Sequence, residues 1–399
     1  MSVMTAPPDE VDAPLEPASS RVRRIRPRDF KGTDAALVGA SLLSSLCIVW
    51  ILFTQLTLLS GVFGFIVCWL VAFLALYWGV NRQFYGRFVA ADRFTGALVT
   101  FGALCLVTPL ALLIGFLVQR GWRLLSFHLF VATQAKALEV CGKGSACPKP
   151  GIEHAIVGTF EQVSIAVVIG VPAAILTAIY LNEVGRGRFR HAVRIVVTSM
   201  GGLPAIVAGV FIYTVWIVRF KEHFSGFAGS MALAILLLPA VTRGTEEVLK
   251  IVPDELREAS LALGATQART VRSVVLPTAR SGIITAVLLG IAIAMGETAP
   301  LLFTVFGNTH LNLNPFSGEQ SSLTLLVYQE VKSSQQQDVN LAYTAALVLF
   351  MAVFAVFVSA RVLGSDWIGR KVRREKKQAR SSDRFDDVVS ATVEKGALP

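Results

Sequence analysis

The sequence has few charged residues and lacks the motifs that mark most enzymes of nucleotide or ester chemistry. Only 16% of its 399 residues are Asp, Glu, Lys or Arg. Gly142 and Gly144 flank Lys143, but the upstream glycine spacing and the following Ser or Thr of a phosphate-binding loop are missing. No nucleophile elbow is present, and the five histidines are scattered without metal-ligand spacing. We therefore expect no catalytic residue, no metal site and no cofactor in this chain.

Apolar residues, by contrast, make up 54% of the chain and gather in long runs. A helix of about 20 apolar residues crosses the ~30 Å hydrocarbon core of a bilayer. Eight runs reach or approach this length, at residues 35–58, 61–80, 95–118, 154–181, 195–218, 228–242, 281–306 and 341–363. The sixth is the shortest and contains Pro239. The runs predict an all-α polytopic membrane protein with about eight transmembrane helices. The polar, acidic start of the chain does not have the pattern of a cleavable signal peptide.

The net charge of +10 follows the expected membrane topology. With eight spans both termini lie on one side, and the segments on that side hold 29 of the 37 Lys and Arg residues. Since an excess of basic residues marks the cytoplasmic side, both termini are predicted to be cytoplasmic. A nucleic-acid partner is not expected. The basic tail at 370–377 is predicted to contact anionic lipid headgroups instead.

The five cysteines fall into two groups. Cys47, Cys68 and Cys105 lie within apolar runs, where a thiol packs as a small hydrophobic group. Cys141 and Cys147 lie in an outward loop, which faces an oxidising compartment in most bacteria. Two alternatives are open for this pair: a disulfide, or two unpaired loop thiols. A zinc site is excluded because no histidine stands near them in ligand spacing.

Composition divides the chain into four parts. Residues 1–30 form a polar tail that we expect to be disordered in the cytoplasm. Residues 31–93 form an N-terminal transmembrane hairpin followed by a basic linker, and residues 94–363 form a six-span body. A cytoplasmic loop at 243–280 interrupts this body. Residues 364–399 form a charged cytoplasmic tail.

The cytoplasmic loop has the pattern of two short helices that meet at a glycine. Pro253 suits the first turn of a helix, and Gly264 suits the left-handed position that ends one. Between them, three residues spaced i, i+3 and i+7 share a face: Leu256, Ala259 and Leu263. The second apolar stretch is predicted to end at Pro277. Such an element between two spans is typical of a segment that fits a groove on another protein.

Charged residues on either side of this loop are candidates for a substrate pathway. Glu297 and Thr298 stand deep in the seventh span, where a carboxylate is costly and faces water, the bundle interior or a partner charge. The alternative is that Glu297 pairs with an arginine and locks two helices together. Arg243 ends the sixth span, and its planar guanidinium suits an oxyanion. Its alternative role, shared by Arg280, is to anchor a helix at the interface. Glu161, near the outer end of the fourth span, is a weaker candidate.

Four prolines interrupt spans of the body: Pro172, Pro204, Pro239 and Pro300. Proline in a membrane helix frees backbone groups that only protein neighbours or water can satisfy. Each proline alone is explained by a packing kink. Together with Gly201 and Gly202, the four favour helices that bend around a pathway.

The loop motif Glu258-Ala259-Ser260-x3-Gly264-x9-Val274-x-Leu276-Pro277 resembles the EAA loop of binding-protein-dependent ABC importer permeases. In that family the loop is the coupling helix that docks on an ATPase subunit. The resemblance thus assigns ATPase coupling to five residues: Glu258, Ala259, Leu263, Gly264 and Pro277. Two further segments, 296–304 and 243–253, resemble the phosphate-specific permeases of the PstA type. The likeness covers about residues 94–363.

This resemblance implies an inner-membrane subunit of a bacterial importer that moves inorganic phosphate inward. Its partners would be a PstC-type permease, a dimer of PstB-type ATPases and an external PstS-type binding protein. ATP and Mg would be used by the ATPase, and this chain would supply the coupling loop and half of the transport pathway.

Two departures from the family pattern stand out. Some members carry an arginine one turn before the glutamate, where this chain has Ile293, so a basic residue of the partner permease would be needed. The hairpin at 35–80 is extra to the six-span core. Alternative functions are a permease for sulfate or molybdate, a secondary transporter that needs no ATP, and a regulatory membrane scaffold.

Overall fold

The structure is a computed structural model that describes residues 32–56, 61–136, 150–359 and 361–362. Across these ranges it is helical, and its one β element is a single bridge between Phe306 and Gln320. The prediction of an all-α membrane protein is confirmed. Cys141 and Cys147, both tails (1–30 and 364–399) and with them the basic stretch 370–377 lie outside the described residues.

The N-terminal part contains three long helices. They are α1 (Gly32–Ile51, with a π turn at Leu52–Leu56), α2 (Val62–Tyr85) and α3 (Arg87–Gly121). The chain divides into two compact units, Met1–Ala111 and Leu112–Pro399, so the boundary falls inside α3. Within the first unit, the Arg93 guanidinium donates to Asp34 Oδ1 at 2.6 Å, and both side chains are largely buried. The basic segment 81–93 is helical except at Gly86, whose φ is 82°.

After a short 3-10 helix at Trp122–Leu124, the second unit continues with eleven α-helices whose bounds lie in the described ranges. They are α4 (Phe127–Val131), α5 (Glu153–Ile179, with a π turn at Tyr180–Val184), α6 (Gly187–Met200), α7 (Ala205–Ile212, with a π turn at Tyr213–Arg219), α8 (Gly226–Ile251), α9 (Asp254–Ala262), α10 (Gln267–Thr270, with a π turn at Val271–Val275), α11 (Leu276–Gly296), α12 (Ala299–Thr304), α13 (Leu323–Glu330) and α14 (Gln336–Ser359).

Seven described helices are long and apolar enough to cross a bilayer, and a bent pair brings the count to eight if it is one span. That pair is α6 and α7, which meet at an angle of 102° where 195–218 was predicted to be one run. The break at Gly201–Pro204 has a local cause, because Pro204 lacks an N–H and disfavours helix in the residue before it. By length and composition, this pair fits either one broken span or a re-entrant segment.

The helix predicted least firmly, at 228–242, lies at the centre of the second unit. α8 extends from Gly226 to Ile251, and more of it is buried than of any other candidate span in the described residues. It packs against α5 so closely that a Cβ at Gly170 would lie 2.9 Å from Leu237 Cδ2. Pro172 and Pro239 sit inside continuous helices, whereas Pro204 and Pro300 stand at breaks.

The prediction that the second helix of the loop ends at Pro277 is wrong. Helix continues from Gln267 to Gly296, and Pro277 occupies the first turn of α11. The preceding π turn at Val271–Val275 explains this, because it has already loosened the i to i−4 hydrogen bonding that a proline ring would disrupt. The Thr278 hydroxyl then donates to the Val274 carbonyl at 2.7 Å.

Gln320 is a buried side chain that joins the segment before α13 to α5, at the end of α5 farther from the α9 loop. Its amide donates to Glu161 Oε2 at 2.6 Å and accepts from Gln162 at 3.3 Å. Small residues make room for this segment: a Cβ at Gly158 would lie 2.1 Å from the Ser321 carbonyl oxygen. Glu161 is therefore held by Gln320, and its role in the described structure is to fasten a loop.

We predict that Gly158→Ala destabilises the protein, because the new methyl group can fit only if the Ser321 backbone moves. Overpacking of this kind costs about 1–3 kcal/mol, which thermal unfolding of the purified protein in detergent would show as a midpoint lower by a few degrees. Gly115→Ala is the matched control, since a Cβ there meets nothing within 4 Å. Equal midpoints for the two variants would contradict the packing described at Gly158.

Candidate functional site

The loop between α8 and α11 has a rigid shape that its own backbone maintains. α9 ends at Ala262, and Gly264 follows with a φ of 80°, a left-handed conformation that favours glycine. The Gly264 N–H donates to Leu261 O at 2.9 Å, and the Ala265 N–H donates to Ser260 O at 3.2 Å. This pair of bonds is a Schellman motif. The predicted glycine stop is confirmed, and its Cβ position is open, with nothing within 4 Å.

The apolar face of α9 has no cover within the described part of the chain. Leu263 is 90% exposed and Leu256 is 43% exposed, and Ala259 and Glu258 are exposed as well. The structure thus places Leu256, Ala259 and Leu263 on one uncovered face, as their spacing predicted. An isolated leucine on a surface needs no explanation. A face of this kind on a helix that lies between two spans fits the groove of a partner protein.

Arg257 fastens this loop to the end of α5. Its guanidinium donates to Glu183 Oε1 at 2.9 Å and to Oε2 at 3.3 Å, and both side chains are largely buried. It also donates to the Leu249 and Val252 carbonyls that close α8, at 2.9 and 2.7 Å. The bonds to Glu183 hold the pKa of Arg257 above its ordinary value, so the guanidinium stays charged. One side chain therefore joins three elements: α9, the end of α8 and the π turn after α5.

Two further contacts complete the base of the loop. The Gln267 side chain donates to the Glu183 carbonyl, and the Ser260 and Thr270 hydroxyls are 2.9 Å apart. An open groove of about 510 Å³ lies beside these residues, and Arg186 and Lys250 also line it. Sequence reasoning missed Glu183 and Arg257, which are separated by 74 residues along the chain. The only sign of this ion pair in the sequence was that Glu183 is a single acidic residue beside the run of basic residues after α5.

A cavity of about 310 Å³ lies where two helices break. The first break is Gly201–Pro204, between α6 and α7, and the second is Glu297–Thr298, between α11 and α12. The cavity is lined by Met200, Gly201, Leu203, Ala205, Leu236, Pro239, Ala240, Arg243, Ile293 and Glu297. The structure thus brings together Arg243, Glu297 and Ile293, three residues that the sequence singled out separately.

Arg243 reaches the cavity across the first break. Its Nη2 donates to the Thr198 carbonyl at 2.9 Å, near the end of α6. A Cβ at Gly201 would lie 2.7 Å from the same nitrogen, so glycine is the residue that lets the guanidinium pass. The side chain remains exposed, with donors left over for a ligand. Arg280 is exposed too, but it does not line this cavity.

Glu297 stands at the second break, and its backbone is satisfied by protein. Its carbonyl accepts from the Thr324 hydroxyl at 3.1 Å, and its N–H donates to Ala294 O at 3.4 Å. Within the described residues, neither Glu297 nor Arg243 has an ion-pair partner within 4.0 Å. The alternative that Glu297 locks two helices through an arginine therefore has no support in that part of the chain. Thr298 follows it in the break but is not among the lining residues.

This arrangement offers charged groups that can bind a small ion. The cavity is lined by one cationic side chain, Arg243, and one anionic side chain, Glu297, neither of which has an ion-pair partner among the described residues. The other lining residues are apolar or small. No cluster of three or more metal-ligating side chains occurs among the residues that the structure describes. The same helix connects the cavity to the exposed loop, because α8 carries Arg243 about two turns before its end and its last turn contacts Arg257.

Comparison with known proteins finds relatives that are phosphate permeases. The phosphate transport system permease protein PstA 1 of Mycobacterium tuberculosis is 37% identical over 258 residues, which are 64% of this chain and 82% of that protein. The PstA protein of Mycobacterium leprae is 41% identical over 206 residues, 52% of this chain and 68% of that protein.

Among solved structures, the inward-facing MetNI methionine ABC transporter aligns with 54% of this chain and 93% of its own, at a TM-score of 0.43 and 22% identity. The family model for the binding-protein-dependent transport system inner membrane component matches residues 170–374. That match covers α6 to α14 and both parts of the candidate site. The chain belongs to the family of binding-protein-dependent transport system inner membrane components.

Proposed function

We propose that this chain is a transmembrane permease subunit of an ATP-driven importer of inorganic phosphate. The observation that carries the proposal is the 37% identity to a phosphate permease over 82% of that relative's length. The cavity supports it, because a guanidinium with free donors suits a tetrahedral oxyanion. The absence of a phosphate-binding loop from the sequence assigns ATP and Mg to a separate ATPase.

The loop of α9 and α10 is the surface that we assign to the ATPase. Twenty-nine of the 37 basic residues lie in the segments on its side of the membrane, which by the positive-inside rule is the cytoplasm. Both termini are then cytoplasmic. The exposed face at Leu256, Ala259 and Leu263 would enter a cleft on the ATPase dimer. Glu258, on the exposed side of the same helix, would border it.

The remaining partners follow from the family and the resemblance. We propose that a binding protein delivers the substrate from outside, since the family is described as a component of binding-protein-dependent transport systems. The PstA-type likeness makes that protein PstS-type and adds a PstC-type permease as the second half of the pathway. Since Ile293 stands where some members have arginine, the partner permease would supply a further basic group to the cavity.

We propose that contacts within the second unit connect the ATPase to the cavity. A force on α9 reaches Glu183 through Arg257, and Glu183 belongs to the π turn that leads into α6. α6 in turn is held to α8 by the ion pair of Arg194 with Glu246, at 2.6 Å. Moving α9 would therefore shift α6 and the break at Gly201–Pro204. The same motion would open or close access to Arg243.

Uptake measurements test the proposal. We expect vesicles that contain the assembled importer to accumulate radiolabelled phosphate when ATP and Mg are supplied on the loop side, and not without ATP. Unlabelled phosphate should compete, and sulfate or molybdate should not. Competition by sulfate would assign another oxyanion, while uptake without ATP would indicate a secondary transporter. Binding of partner proteins without any uptake would indicate a regulatory scaffold.

Arg243→Gln should lower phosphate uptake by at least about tenfold, because losing a charge-assisted hydrogen bond costs roughly 1.5–3 kcal/mol. The assay is initial uptake rate at equal amounts of assembled complex. Arg280→Gln is the control, since Arg280 is equally exposed but lies outside the cavity. If both variants lost the same activity, membrane anchoring rather than oxyanion binding would explain the role of Arg243.

Gly264→Val should uncouple the importer. A β-branched residue at a φ of 80° costs at least about 1–2 kcal/mol and would reshape the turn after Leu263. We expect phosphate uptake to fall severalfold while the chain remains inserted and folded. Gly86→Val is the matched control, because Gly86 has a φ of 82°, an equally open Cβ position and no place in the loop. Unchanged uptake by the Gly264 variant would refute the coupling role.

A further inference from the structure

α6 has an apolar face beside exposed basic side chains. Phe189, Ala192 and Val196, spaced i, i+3 and i+7, form an uncovered apolar face. Phe189 is 68% exposed and Val196 is 56% exposed. Arg188 and His191 are exposed on the adjoining side of the helix, together with Ile195. An exposed aromatic side chain and exposed basic side chains therefore lie next to each other on the surface of α6.

The third side of α6 is occupied by protein. Arg190 donates to the Leu181 carbonyl at 2.8 Å, Arg194 pairs with Glu246, and Val197 is buried. The four arginines before and within α6, at 186, 188, 190 and 194, therefore have different surroundings. Arg190 and Arg194 bind within the chain, and Arg186 lines the groove beside the loop. Arg188 has no partner among the residues that the structure describes.

The position of α6 corresponds to the boundary between hydrocarbon and headgroups. Its partner on α8 is Glu246, in the charged last turns that also contain Glu247 and Lys250. Its C-terminal turn meets Arg243, which begins that charged stretch. A helix of 14 residues is about 21 Å long, too short to cross ~30 Å of hydrocarbon. The bend of 102° turns it away from the direction of α7.

We propose that α6 is an interfacial helix, whose Phe189 face inserts into the cytoplasmic leaflet and whose Arg188 binds the headgroup of an anionic lipid. The cytoplasmic assignment rests on the proposed function; the insertion itself rests on the geometry of α6. An aromatic anchor beside a basic side chain is the pattern by which amphipathic helices lie in a membrane surface. Because Arg194 and Arg243 join α6 to the helix that lines the cavity, the lipid would brace the wall of the pathway.

Tryptophan quenching tests the insertion. Phe189→Trp and His191→Trp place the same fluorophore on the apolar and the polar side of α6, and the signal of the parent chain, with its six native tryptophans, is subtracted. In vesicles made with bromine-labelled acyl chains, we expect residue 189 to be quenched at least about twice as strongly as residue 191. Equal quenching, or crosslinking of residue 189 to a partner subunit, would overturn the proposal.

The same fluorophore reports the headgroup. Two sets of vesicles contain equal amounts of phosphatidylglycerol and phosphatidylcholine. The bromine label is on the acyl chains of phosphatidylglycerol in one set and of phosphatidylcholine in the other, and the quenching in the two sets is compared. We expect residue 189 to report an enrichment of phosphatidylglycerol of up to about fivefold, the factor that about 1 kcal/mol per arginine corresponds to. Arg188→Gln should remove that enrichment and leave insertion intact. A ratio of one in the parent variant would overturn the headgroup assignment.

These readouts are separate from transport. A chain that carried no phosphate would still show the difference between residues 189 and 191 if α6 lies in the interface. A chain that carried phosphate normally and showed no such difference would refute only the interfacial placement.

Discussion

A helix that breaks inside a membrane must have its free backbone groups covered by protein or by a water-filled cavity. Two helical segments of the described chain break, at Gly201–Pro204 and at Glu297–Thr298, and residues at both breaks line the cavity that contains Arg243. The helices that follow the two breaks pack together: a Cβ at Gly209, in α7, would lie 2.6 Å from Pro300 Cα, in α12. The requirement to cover broken backbone therefore explains why the cavity, the contact between α7 and α12 and the glycine at that contact occur together.

α8 connects this cavity to the surface loop. It is the most buried of the candidate spans, and it presents Arg243 to the cavity, Glu246 to α6 and the carbonyls of its last turn to Arg257. The charged contacts are all near its C-terminal end, whereas its N-terminal half packs with alanine and glycine against α5 and α12. The C-terminal half is packed as well, since Val241 and Leu249 are fully buried, so α8 combines a tight core with polar contacts at one end.

Local features of the site were predictable, and long-range ones were not. The turn at Gly264 and the shared face of Leu256, Ala259 and Leu263 follow from spacing within a dozen residues, and the structure has both. Pro277 was misread because a proline normally ends a helix, and a π turn before it cannot be seen in composition. The run 195–218 read as one span because both halves are apolar, although α6 turns by 102° from α7. The bond between Arg257 and Glu183 links positions 74 residues apart, for which a single sequence carries no pairing signal.

The Schellman motif at Ser260–Ala265 has a kinetic consequence. A segment that orders only when it binds pays its conformational entropy at that moment, which weakens and often slows association. Here the turn is closed by its own backbone hydrogen bonds. The helix before it, α9, is held in place by the Arg257 guanidinium, which donates to four acceptor groups. In the proposed docking, this loop would therefore enter the cleft of its partner without a folding step. The rate of assembly would then depend on how often the subunits collide in the right orientation.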